Sequence, residues 1–154
     1  MYIRKQYSYV QESRKILFDY CRTISVEDFR RESSSFGRGG SIRNLLVHIA
    51  NTYEFWIAKA ALGREVDFAE YEVHKSIRDV VSLFDYVDLF MDEFMHRTND
   101  AEGEIEFELN GAKRSEEPIK LFSHVITHEY HHKGQILSLS RHLGYIPVDT
   151  DIMR

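Results

Sequence analysis

With 154 residues, 43% of them hydrophobic and 29% charged, the chain has the size and balance of one domain around a single core. A formal net charge of -5 without a basic block speaks against nucleic acid as a partner, because phosphate binding leaves a Lys/Arg-rich footprint. A single cysteine, Cys21, excludes an intramolecular disulfide, and no apolar run reaches the length of a membrane span.

The N-terminal sequence MYIRKQYSYVQESRK lacks the apolar stretch of a secretory signal, so a cytoplasmic setting is expected. Tyr9, Val10, Ile16, Leu17 and Tyr20 recur at helical spacing and predict a first helix over residues 2–20, with Cys21 a small buried residue at its end. Ser25, followed three residues later by Asp28, is a capping box that opens a short helical turn. The glycines of SSSFGRGG, residues 33–40, match neither a Walker loop nor a dinucleotide fingerprint and predict a flexible connection. Ser41 then caps a second long helix over residues 42–62, ended by Gly63. Its stripe is Ile42, Leu46, Ile49, Tyr53, Trp56 and Ala60. His48 lies about 120° from the centre of that stripe, so periodicity alone makes it peripheral, although Leu45 and Phe55 share its side.

A linker of mixed charge, residues 64–75, leads to Ser76 and a third helix reaching about residue 98. Ile77, Val80, Val81, Phe84, Val87, Phe90, Met91 and Phe94 form its apolar face, and Asp79, Asp85, Asp88 and Asp92 read as its solvated side. EIEFEL, residues 104–109, alternates and ends in Asn110-Gly111, a strand followed by a turn. It makes either a hairpin with the residues after Gly111 or an extended loop. Pro118 suits the first turn of a fourth helix, which runs to Gly144. Residues 145–154, with Pro147, form a tail lying against the rest. Four long amphipathic segments and one short strand-like piece predict an all-α four-helix bundle, a single domain over residues 1–154. The long connections allow a crossover topology, and the β element is at most one short hairpin before the last helix.

The fourth helix carries five of the eight histidines, at 124, 128, 131, 132 and 142. Setting His128 at zero on a wheel of ~100° per residue, Leu121, Val125, His132, Ile136, Leu139 and Leu143 share a stripe of roughly 60°. His128 and His132 thus lie one turn apart on the face turned to the core, and two imidazoles at i and i+4 converge on one divalent ion such as zinc or nickel. His124 is one turn further on. Three ligands strung along one straight helix would span about 12 Å, too far for one ion. A third ligand must come from elsewhere, with His48, His74 and His96 as candidates, and only His48 sits well inside a helix. Glu129, on the apolar side near Val125 and Ile136, can orient an imidazole, act as a general base, or pair with a basic side chain. His128-Glu-Tyr-His-His132 also satisfies the H-E-x-x-H zinc-peptidase pattern. Downstream of it only His142, Asp149 and Asp151 remain as a third ligand, which disfavours that reading.

SIRNLLVHIANTYEFWIAKAALG around His48, together with HVITHEYHHKGQI around His128 and His132, resembles the DinB/YfiT-like family over nearly the whole chain. The resemblance implies a four-helix bundle of crossover topology, a homodimer, and one divalent metal held by His48, His128 and His132. It implies a metal-dependent transferase or hydrolase acting on a small molecule, in some relatives with a low-molecular-weight thiol as cosubstrate. In that chemistry Glu129, His124 or His131 could move protons, with Glu129 and His124 the candidate catalytic residues, and neither nucleic acid nor membrane is expected as a partner. The contrasting reading is a metal-binding bundle without catalysis, serving structure, sensing or interaction.

Overall fold

Helix α1, Tyr2–Cys21, runs beside α4, Ile77–Thr98, in the opposite direction. Arg4 reaches Asp92 at 2.6 Å, Tyr7 reaches Asp88 at 2.6 Å, and the Phe18 and Phe84 rings meet edge-on at 5.2 Å. In this computed structural model residues 2–33, 35–36, 40–98 and 103–154 are described. The short α2, Val26–Arg30, starts where expected with half of the predicted box: Ser25 Oγ accepts from the Asp28 amide at 3.1 Å, while the Ser25 amide donates to Tyr145 Oη at 3.1 Å in place of the Asp28 carboxylate. Of the connection at residues 33–40, positions 34 and 37–39 lie outside the described residues. Its last residue, Gly40, has φ +61° and a Cβ there would stand 1.8 Å from the Ser33 carbonyl oxygen. Only glycine fits that approach.

Ser41 caps α3, Ile42–Tyr53, by accepting from the Asn44 amide at 3.0 Å. The predicted second helix then changes character. Residues Glu54–Ala61 continue it as a π-helix, a correction to the single α-helix expected over 42–62. The hydrogen bonds shift by one residue while the composition EFWIAKAA suits either form, so periodicity carried no sign of it. A 3-10 turn, Tyr71–Val73, interrupts the linker before α4.

The strand signal resolves as a hairpin. β1, Ile105–Leu109, pairs antiparallel with β2, Ala112–Glu116, from Ile105 opposite Glu116 to Leu109 opposite Ala112. Asn110 and Gly111 both have positive φ, 54° and 76°, as a two-residue type I′ turn demands. Trp56 of the π-helix meets Phe107 of β1 edge-on at 5.9 Å, which seats the hairpin on that segment. Pro118 opens α5, Pro118–His142, and Gly144 with φ 94° ends it, the Tyr145 amide returning to the Ser140 carbonyl at 3.0 Å.

Four long helices, α1, α3 with its π extension, α4 and α5, enclose the core, with a small hairpin outside: the bundle expected from the sequence. The tail is pinned to it. Tyr145 donates to Asp28 at 2.8 Å, and the buried Lys133 donates to Ser13 Oγ, which in turn donates to the Thr150 carbonyl. One acid of α4 departs from its expected solvated role. Asp88 is half-buried and accepts from Tyr7 Oη and from Arg14 at 2.8 Å, because α1 packs over that side of the helix.

Candidate metal centre

Two helices that are far apart in sequence build one cluster of imidazoles. On α5, Val125 and Ile136 are fully buried and set the inward face; His128 and His132 lie between them on that face. On α3, residues 42–47 and 49–50 are all buried, so the helix is covered on nearly every side. This corrects the peripheral placement of His48: a wheel centred on one stripe misses a helix packed between neighbours, and the side that carries His48 meets α5. The His48 ring centre lies 4.9 Å from that of His128 and 4.8 Å from that of His132, and the latter two are 4.4 Å apart.

One ring nitrogen from each of His48, His128 and His132 lies within 4.8 Å of the other two. The facing Nε2 atoms of His128 and His132 are 3.1 Å apart. Two nitrogens each about 2.1 Å from one ion stand about 3.0–3.4 Å apart in octahedral or tetrahedral geometry, so this pair already has ligand spacing. The widest separation needs roughly 1–2 Å of side-chain movement to join it. His128 also fits in charge. Burial, then the neighbouring imidazoles His132, His48 and His124, push the His128 pKa down to about 3, so its ring is neutral, as a metal ligand must be. His132 is buried, whereas His48 and His128 are half-buried, so the cluster is open on one side.

The remaining histidines do not join the group. His124 is exposed, 6.1 Å from the His128 ring and edge-on to Trp56 at 5.1 Å. His131 is exposed beside His132. His74 and His142 each engage a backbone carbonyl at 2.8 Å, and His96 is exposed near the end of α4.

Glu129 turns to a different set of partners. Its carboxylate takes Arg14 Nε at 2.9 Å, Arg14 Nη2 at 2.8 Å and Tyr53 Oη at 2.7 Å, all buried. Arg14 spends its remaining nitrogen on Asp88 at 2.8 Å and also touches Tyr7 Oη at 3.2 Å. Burial opposes the Arg14 charge, and the Glu129 carboxylate more than offsets it, so the guanidinium stays protonated. Burial and then the Glu129 charge drive the Tyr53 hydroxyl well above its ordinary pKa. The pairing role is the one this geometry serves. The partners were missed in the sequence, yet Arg14 carries a signal: at helical spacing from Val10 and Leu17 it is a cation inside an apolar stripe.

A sequence profile of the DinB family matches residues 1–154. The chain belongs to the DinB family. It is also 24% identical to the uncharacterized protein YizA of Bacillus subtilis strain 168, over 157 aligned positions that cover 97% of this chain and 92% of YizA. In this DinB chain the LLVHIA and HEYHHKGQI segments, separated by some eighty residues in sequence, are the two halves of one three-histidine group. Tyr53 and Glu129 tie the same two helices together beside that group.

Proposed function

We propose that the protein binds one divalent metal ion, zinc or nickel, through His48, His128 and His132, and that it is a metal-dependent transferase or hydrolase acting on a small molecule. The observation that carries the reading is the three-imidazole cluster, half open, with the His128–His132 pair at ligand spacing and the His128 ring neutral. Among the described residues the group has three protein donors, the number found in catalytic zinc sites, which keep a position for water or substrate. A closed structural site would hold four. An ion held there supplies Lewis-acid chemistry, lowering the pKa of a thiol or water that reaches it.

The chain's own residues do the rest. His124, exposed one turn along α5 from His128, is the imidazole placed to carry a proton between the site and solvent. Trp56 packs edge-on against both His124 and Phe107, an aromatic surface beside that imidazole. Glu129 holds α3, α5 and α1 in register through Tyr53 and Arg14, which keeps His48 opposite His128 and His132. A low-molecular-weight thiol is the cosubstrate this reading favours, because a thiolate binds zinc or nickel readily.

The test is metal analysis of protein purified without a histidine tag, wild type beside His132→Ala. The expected result is about one equivalent in the wild type and its loss in the variant. Equal metal content in both would overturn the assignment. Cobalt-substituted protein then reports on thiols, which are expected to change its visible spectrum.

A further inference from the structure

Beside the three histidines stands one polar side chain to which the proposed chemistry gives no task. Gln135 is half-buried, and its Oε1 lies 2.7 Å from Nδ1 of His132. A side-chain carbonyl oxygen only accepts, so the shared proton sits on Nδ1. A neutral imidazole has a single N–H, which leaves Nε2 of His132 with its lone pair. That lone pair is aimed at the centre of the group, where His128 Nε2 stands 3.1 Å away. With the amide reversed, its NH2 would donate to Nδ1 and the His132 proton would move to Nε2, closing the ligand position.

His128 has no such support. Its Nδ1 is buried without a hydrogen-bond partner. A buried N–H without an acceptor is the less tolerated of the two arrangements, so the His128 proton belongs on Nε2, donated to His132. We infer that Gln135 is the positioning residue of the centre: it presets His132 as an Nε2 ligand before any ion arrives, whereas His128 must change tautomer to bind. In that change the His128 proton passes from Nε2 to Nδ1, and none is released. The inference rests on the metal reading of the site, but its first half concerns the metal-free protein and can be read there.

Long-range 15N–1H NMR of the histidine rings in metal-free protein gives each tautomer directly. His132 is expected as the Nδ1–H form in the wild type and in Gln135→Glu, which keeps an acceptor. In Gln135→Leu, of similar size and good helix propensity, the Nε2–H form is expected to gain. Cobalt affinity should fall about 10–100-fold in Gln135→Leu, the range for loss of an outer hydrogen-bond partner, and be restored in Gln135→Glu. An Nε2–H tautomer of His132 in the wild type, or wild-type cobalt affinity in Gln135→Leu, would overturn the role of Gln135. If the wild type takes up no cobalt, the metal reading fails, and the His132 tautomer in metal-free protein still decides what Gln135 does.

Discussion

Helix α5 sends neighbouring residues into two polar clusters of opposite design. Glu129 enters a closed network in which Arg14, Tyr53, Tyr7 and Asp88 answer one another, with Arg14 and Glu129 only 4% and 2% exposed. His128 and His132 enter an open cluster with His48, crowded with lone pairs and ring N–H groups, in which burial and the neighbouring imidazoles keep the His128 ring neutral. Charge with every partner in place is how a bundle fixes the rotation of its helices. Close-set imidazoles that reach solvent are a group that could hold a cation. The H-E-x-x-H pattern therefore splits in this chain, its histidines joining the open cluster and its glutamate the closed network.

Breaking each cluster separates these roles. Glu129→Leu leaves Arg14 charged and buried, and should destabilise the metal-free protein by about 3–5 kcal/mol in urea denaturation. Adding Arg14→Met to it should recover part of that loss, since the buried charge that has lost its Glu129 partner and keeps only the half-buried Asp88 goes too. The open cluster should behave in the reverse way. Metal at about 100 times its Kd is expected to stabilise the wild type by about 2.7 kcal/mol, and at the same concentration to give His48→Ala almost nothing.

Gly40→Ala touches both clusters, because α3 supplies both His48 and Tyr53. With φ +61° and the Ser33 carbonyl in the way, the loss in thermal or urea unfolding is expected on the order of 1–3 kcal/mol. A further effect is one of pH. His128 titrates near 3 in the fold against 6.5 when unfolded, so the unfolded chain binds more protons between those values. The contribution of His128 is then fully present above pH 6.5 and is lost as pH falls towards 3. In chelator-treated protein, His128→Phe should flatten the pH dependence of stability across that window.

Much of this could be read along the chain, for reasons that mark where reading stops. The apolar spacing of α1, α4 and α5, the Ser25 and Ser41 caps and the Asn110-Gly111 turn are local signals, and each appears where expected. His128 and His132 are local too, since i and i+4 on one helix face are fixed by helix geometry. His48 reached the site through resemblance and against the wheel, because a wheel describes one face and α3 is packed on several. Arg14 and Glu129 are 115 positions apart, and no pattern within either helix announces their pairing. The π-helix after Tyr53 changes a hydrogen-bond register without changing composition, so it too was invisible.

X-ray absorption at the metal edge tests the central claim most directly, using protein loaded with one equivalent of zinc or cobalt. The expected spectrum has nearest nitrogens at about 2.0–2.1 Å, with outer-shell scattering from three imidazoles. Replacing His48 by alanine should remove one imidazole from it. A metal shell without imidazole scattering, or one unchanged by loss of His48, would contradict the account.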